Sequence, residues 1–457
     1  MDKAFSWSIM QGGNAQVALV RIGGQAPFLF PSFSRTPESR ATNQGGTALS
    51  APADLFRQGF FYGMNSEERE VTSMSMGKWM KKAVMALMVA GAVLAVSGCG
   101  GGQKASSKPM EGAKVAKIGF ATASTGPVAA YGLGEKEGFD MAVEEINKGG
   151  KIHFEVNEMD TKGQVSQAVN VIQKMISQKE AVIVGPVLSS EYKAIGKLVE
   201  QAKIPTIGVA VTAEGVTDGY DYLFRVCVPE SENIPNTVKK THQKLGYKRA
   251  AILYSSNNEH QVSAYNVFKR SLEAEGVEII ATETFADKDT DFSAQLTKIQ
   301  PMNPDVVILA AYYQEGALIL KKMRAMGMNQ PVLGDNGFAS PELMKLAGEA
   351  SNNTYVSSMW APDRKSQLTE TFVADFKKKY NKDPDQFAAC GYLAVKYVAE
   401  AMDKAGTTTD TKKIREAMAN IKNMETVAGP MSFANKGTPE VDLVLLEVKD
   451  GKFTLAK

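Results

Sequence analysis

From Lys114 onward the apolar positions follow two alternating rhythms. Short apolar runs stand at 115–122, 181–185 and 206–211, and the stretch at 152–158 alternates Ile152, Phe154 and Val156. Runs this short, bounded by turn residues, are the mark of strands, and alternation marks a half-buried one. Between them lie segments with helical spacing. Phe139, Val143 and Ile146 share one face of a helix over 135–148 that Gly149 stops. Val165, Val169, Ile172 and Ile176 do the same over 164–178, and a further helix starts near Ser190. The result is βαβαβαβ, the order of a parallel sheet with helices on both faces. The pattern then restarts, with helices at 232–245, 261–275, 291–300, 315–327 and 341–348 alternating with strands at 250–255, 277–285, 305–311 and 331–334. Three more helical patterns (367–380, 387–405 and 411–421) and a strand-and-turn tail with Asp450-Gly451 as a hairpin signal complete the chain.

The predicted fold class is therefore α/β, as two lobes, each an open, mainly parallel sheet flanked by helices. The first sheet is short of helices, so the chain is expected to return to it near residue 355 and to cross again for the final strands. The expected division is 115–228 plus 355–428 for lobe 1 and 229–354 plus 429–457 for lobe 2, joined by a multi-strand hinge.

Ahead of these lobes, Lys78, Lys81 and Lys82 precede an uninterrupted run of apolar and glycine residues from Ala83 to Val96, followed by Ser97-Gly98-Cys99. That is the plan of a secretory signal peptide, too short to span a bilayer comfortably. Its ending resembles the lipobox of bacterial lipoproteins, which implies cleavage before Cys99 and lipid on its thiol. Residues 76–98 then form the signal and 99–114, rich in Gly, Ser and Lys, a flexible tether. Residues 1–75 show no sustained periodicity and are read as an over-extended or disordered extension ahead of a true start at Met76. The rival is a genuine N-terminal domain with one membrane span. The place expected for the protein is the periplasm or cell surface, lipid-anchored to a bacterial membrane.

Composition narrows the function. A net charge of +2 gives no argument for a nucleic-acid partner. Cys227 and Cys390 are too few for a disulfide framework and are expected as buried thiols. The three histidines, His153, His242 and His260, lack metal-ligand spacing, and GxSxG, P-loop and HExxH motifs are missing, so neither enzyme, metal nor cofactor is expected. In open α/β sheets ligands bind beyond the carboxyl ends of the strands. Those loops are 122–132, 185–192, 210–215, 255–261, 311–316 and 334–340, rich in Ser, Thr, Tyr, Asn and Gly, and they suit a small polar molecule.

The motifs GFATASTGPVAAYG, the Ser-Ser after a buried strand, AVTAEG, YYQEGALILKKMRAMG and GDNGFASPEL stand in this order. With them the chain over 115–457 resembles the periplasmic leucine/isoleucine/valine-binding proteins, the type I solute receptors of branched-chain amino-acid ABC transporters. The resemblance implies a monomeric receptor for an amino acid, working with the permease subunits in the membrane. It implies ligand contacts from Ser189 to the carboxylate, from the Ala210 carbonyl and from Thr212, with side-chain pocket aromatics at Tyr131, Phe387 and Tyr312 or Tyr313. Two positions depart from the family pattern. The usual loop acid falls on Asn336, with Asp335 one residue early, and His260 stands where a tyrosine is usual. The other readings are a ligand-sensing module for an amide or carboxylate, and an extracellular α/β enzyme. Mass spectrometry of the expressed protein tests the start at Met76: no peptide from residues 1–75 is expected.

Overall fold

The computed structural model describes residues 108–456 apart from 436–437, together with three N-terminal strands. Those strands, β1 (Ser6–Gly12), β2 (Ala15–Arg21) and β3 (Phe28–Pro31), form an antiparallel sheet, so the segment read as lacking periodicity contains regular structure. They belong to a unit of their own, separate from the unit that starts at Gly102. The signal segment at 76–98 and Cys99 lie outside the described residues.

The short apolar runs become strands because a sheet covered on both faces needs only a few fully buried residues per strand. Along the chain come β4 (Lys114–Thr122), α1 (Ala129–Lys148), β5 (Ile152–Asp160), α2 (Val165–Ser177), β6 (Val182–Val184), α3 (Ser189–Ala202), β7 (Thr206–Gly208) and β8 (Leu223–Arg225). Their sheet has the order β5-β4-β6-β7-β8 and is parallel throughout. α1 begins at Ala129, six residues before the expected start, so the loop after β4 winds into helix early.

The chain then crosses to the second lobe through α4 (Glu230–Leu245), β9 (Arg249–Ser255), α5 (Glu259–Ala274), β10 (Glu278–Phe285), α6 (Ser293–Ile299), β11 (Val306–Ala310), α7 (Tyr313–Ala325), β12 (Val332–Gly334), α8 (Pro341–Ala347) and β13 (Thr354–Ser358). It returns with α9 (Gln367–Tyr380), α10 (Gln386–Ala405), α11 (Thr411–Met418), β14 (Met424–Thr426), β15 (Gly429–Asn435) and β16 (Thr438–Glu440), and ends in the hairpin β17 (Val444–Lys449) and β18 (Lys452–Leu455). The second sheet has the order β10-β9-β11-β12-β13-β17-β18, its last two strands antiparallel.

Two expected lobe boundaries move. Residue 355 falls inside β13, which pairs with β12 and β17 in the second sheet, so the return follows Ser358. The 428/429 boundary falls between β14 and β15, which pair with each other. Met431 and Phe433 of β15 are buried with Phe120, Phe139 and Tyr397 in the first lobe's core, and the last crossing lies between β15 and β17. Phe372 and Phe376 of α9, Leu393 and Val398 of α10, and Ile414 and Met418 of α11 join that core, supplying the helices the first sheet lacked. Cys227 and Cys390 are buried free thiols.

The tightest joint is α1 against α10. A Cβ at Gly138 would stand 1.8 Å from the Ala388 carbonyl oxygen, and one at Gly391 would stand 2.1 Å from the Glu135 carbonyl oxygen. The helices touch backbone to backbone, and neither can yield without moving the other. Gly138→Ala is expected to lower stability by about 1–3 kcal/mol, as overpacking does, measured by urea unfolding of the mature chain. An exposed substitution such as Lys404→Ala serves as the neutral control.

Candidate functional site

Eight of the nine sequence-predicted ligand residues stand in loops or first helical turns beyond strand carboxyl ends, and the ninth, Phe387, opens a helix of the returning segment. Tyr131 lies in the first turn of α1, and Ser189 opens α3. Ala210 and Thr212 follow β7. In the second lobe His260 lies in the first turn of α5, Tyr312 caps α7, and Asp335 and Asn336 follow β12. Phe387 is the second residue of α10. Seven of them, Tyr131, Ser189, Ala210, His260, Tyr312, Asn336 and Phe387, line one small cavity of about 10 Å³ between the lobes, with Leu188 and Gly337. That is room for roughly one water molecule. Asp335 and Thr212 stand just behind its wall. A groove of about 640 Å³ elsewhere, along Leu133, Trp360, Phe376 and Phe453, contains none of the predicted residues.

The lobes are closed on each other. The Tyr131 hydroxyl donates to the Gly337 carbonyl at 2.7 Å and accepts from the Tyr313 N–H at 3.2 Å, while the Tyr313 hydroxyl donates to the Pro127 carbonyl at 2.9 Å. The Gln386 amide donates to Asn336 Oδ1 at 2.5 Å, and the Glu214 N–H donates to Ser263 Oγ at 2.9 Å. Lys193 with Glu259 and Arg270 with Glu214 form ion pairs at the rim. The exposed pairs contribute little; the buried hydrogen bonds carry the contact. Tyr131 is also the hub of the aromatic wall. It stacks on Phe387 with centroids 4.5 Å apart and meets Tyr312 and Tyr313 edge-on.

On the first lobe the start of α3 is placed by a turn that only glycine fits. Gly185 ends β6 at φ +99°, and a Cβ there would stand 1.9 Å from the Ala121 carbonyl oxygen. This turn delivers Leu188 and Ser189 to the start of α3, where the Leu188 N–H donates to Glu191 Oε2 at 3.0 Å and the Ser189 hydroxyl and the helix-start N–H groups beyond it suit a carboxylate. Ser189 Oγ accepts the Ala213 N–H at 3.2 Å, which ties the loop after β6 to the loop after β7.

The second lobe answers with a buried cluster of charge. His260 Nε2 lies 2.9 Å from Glu230 Oε1, and His260 Nδ1 lies 3.8 Å from Asp335 Oδ2. Glu230 Oε1 also accepts from Thr212 Oγ1 at 3.1 Å and from the Asn336 N–H at 3.3 Å. Asp335 Oδ1 accepts the Gly337 N–H at 2.8 Å, so this residue does shape the turn. Burial pulls the His260 imidazole down, but Asp335 and Glu230 outweigh it and leave its pKa raised. Burial pushes the Asp335 carboxyl up to about 7, with His260 opposing and Glu230 reinforcing the shift. Sequence reasoning missed Glu230 and Gln386. Glu230 reads along the chain as an ordinary acid in the first turn of a helix after Pro229, and only the lobe crossing brings it to the site.

Among the described residues no group of three or more His, Cys, Asp or Glu is placed to hold a metal ion, and no helix is long and apolar enough to cross a membrane.

A two-lobed α/β receptor fold with its polar loops facing a cavity between the lobes is the architecture of a solute-binding protein, and residues 115–452 match the family model described as periplasmic binding protein. The chain belongs to that family, in its type I form. It is 27% identical over 324 residues to a Leu/Ile/Val-binding protein of Rhizobium johnstonii, covering 70% of this chain and 88% of that one. A leucine binding protein of Thermotoga maritima superposes with a TM-score of 0.71 at 28% identity, covering 75% of this chain and 98% of the other. A branched-chain amino acid transporter substrate binding protein of Streptococcus pneumoniae, in complex with isoleucine, gives 0.70 at 30% identity, covering 74% and 98%.

Both Asp335 and His260 have folded-state pKa values raised above their ordinary ones. Each therefore adds stability that is present at low pH and lost as pH rises through its folded pKa. For Asp335 the loss runs from about 4 to about 7. Asp335→Asn is expected to flatten the fall in melting temperature of the free protein across this window, measured by thermal melts at stepped pH.

Proposed function

We propose that this chain is the solute receptor of an ABC transporter, binding a branched-chain amino acid between its lobes and handing it to the permease subunits. The observation that carries this reading is the division of labour across the cavity. The first lobe offers the Ser189 hydroxyl, the N-terminus of α3 and the Ala210 carbonyl beside the stacked rings of Tyr131 and Phe387, and the second lobe sets Tyr312 and buried carboxylates against them. An α-amino acid with an apolar side chain matches all three surfaces, and isoleucine is what the Streptococcus pneumoniae relative holds. Ligand docks first on the lobe bearing Ser189, Ala210 and Thr212. The second lobe then swings over and excludes water, a hinge closure that presents a joint surface to the permease. A cavity of about 10 Å³ cannot admit such a ligand without the lobes parting. The reaction class is binding and release, with no catalytic step. The lipid on Cys99 and the Gly/Ser tether keep the receptor near its transporter at the bacterial membrane.

A receptor for another small amide or carboxylate is the second reading, and the observation that favours it is Asn336, an amide where the family's acid is usual. Calorimetry of the mature chain with L-leucine, L-isoleucine and L-valine tests the first reading: at least one is expected to bind at micromolar affinity or tighter. Ser189→Ala is expected to weaken that binding by about 10-fold or more, the value of a hydrogen bond to a charged group. No binding of the three, with binding of an amide or simple carboxylate instead, would favour the second reading.

A further inference from the structure

The amide at Asn336 leaves open what balances a positive ligand group. We propose that Glu230, on the first lobe crossing, is the acceptor of the ligand's ammonium and thereby the residue that selects α-amino acids over carboxylates lacking the amine. This assignment rests on the amino-acid reading above.

Glu230 has no solvent exposure, and its two oxygens differ in what they meet. Oε1 takes three donors, from Thr212, His260 and the Asn336 N–H. Oε2 is buried with no partner. A buried carboxylate oxygen left unanswered is costly, and a donor from a bound molecule removes that cost. Position matters as much as need. The partners of Oε1 include Thr212, one of the three residues the resemblance places at the ligand's polar end, and the backbone of Asn336, where the family's acid is expected. The carboxylate of Glu230 thus stands between those two points, while the Asn336 side chain is engaged with Gln386.

Charge points the same way. No Lys or Arg lines the cavity. Two carboxylates, Glu230 and Asp335, face one imidazole and no other cationic side chain of the cavity wall. An ammonium completes the cluster. Asp335 Oδ2 is likewise buried without a hydrogen-bond partner, 3.8 Å from His260 Nδ1, and Oδ1 is committed to the Gly337 N–H; Asp335 is the weaker candidate because the Thr212 hydroxyl and the Asn336 N–H both turn to Glu230 instead. Its part is to hold His260, which in turn orients Glu230.

The discriminating power follows from burial. A site built around a buried ionised group rejects a ligand that leaves the group unpaired far more strongly than it rejects one of wrong size. L-leucine and 4-methylpentanoate share a carbon skeleton and a carboxylate and differ only in the amine. By calorimetry at pH 7, the wild-type chain is expected to bind L-leucine about 100-fold tighter than 4-methylpentanoate. Glu230→Gln, close in shape, is expected to weaken L-leucine by about 10-fold or more while leaving 4-methylpentanoate within about twofold or improved. Restoring an acid at the loop position, as Glu230→Gln with Asn336→Glu, is expected to recover part of the lost leucine affinity, which a merely structural role for Glu230 would not produce. Leucine affinity unchanged in Glu230→Gln, or lost in Asp335→Asn instead, overturns the assignment. So does a wild-type chain that binds both molecules equally, a result that needs no variant to fold. A wild-type chain that binds neither overturns the amino-acid reading itself, and this assignment with it.

Discussion

A carboxylate without access to water must be answered by donors, and the donors that answer Glu230 come from both lobes. Thr212 belongs to the first lobe, His260 and the Asn336 N–H to the second. Glu230 itself opens α4, on the strand-to-helix passage by which the chain first leaves lobe 1, and its own N–H is held by the Thr212 carbonyl at 2.7 Å. One side chain therefore measures how far apart the lobes stand. Opening the cleft strips Oε1 of partners from one side or the other and lets water in to replace them. Closing it requires that every remaining polar group find a partner in a low-dielectric space. The rest of the closed site is arranged around that requirement. Tyr131 bridges to Gly337 and Tyr313, Gln386 bridges to Asn336, and Asp335 steadies the imidazole.

This dependence explains why the polar groups sit where they do in the fold. In a parallel sheet every strand ends at the same edge, so short strands of different lobes can present their following loops to one another. The turn at Gly185 and the helix start at Ser189 are set by β6, and His260 is set by β9. Neither lobe contains a complete site. Each supplies half of a polar constellation, and the crossings after β8 and after β13 hold the halves in reach.

The parallel sheets were legible because their strands are short and fully apolar, as at Val182–Val184 and Val306–Ala310. β13 was not, because its buried residues are largely hydroxylic. Thr354, Tyr355, Val356, Ser357 and Ser358 are all buried, and Ser357 is accepted there through hydrogen bonds with Asn236 and Thr237 of α4. A pattern of apolarity cannot show a strand whose polarity is satisfied by residues more than a hundred positions away. The same reason hid Glu230. Its partners at 212, 260 and 336 are brought together only by the folded topology, whereas Ser189, Ala210, Tyr312 and Phe387 were legible through motifs local to one loop or helix start. His260 lines the cavity while its backbone N–H is held by the Asn258 side chain.

The placement of the acid has a further consequence for how closure is driven. An acid on the loop after β12 would move with the second lobe and meet a ligand only at the end of its swing. Glu230 lies at the crossing itself, where its N–H is held by the Thr212 carbonyl of the first lobe while the helix it opens packs into the second. In the proposed reading, a ligand seated on Ser189 and Ala210 would complete a charge pattern that His260 and Asn336 join on closure. Their approach trades bulk water for fixed partners around one carboxylate, and the gain from that trade falls on the closed state alone. A ligand can shift the equilibrium between open and closed lobes only by such a difference in affinity. In this chain the difference is concentrated where three segments of the fold meet.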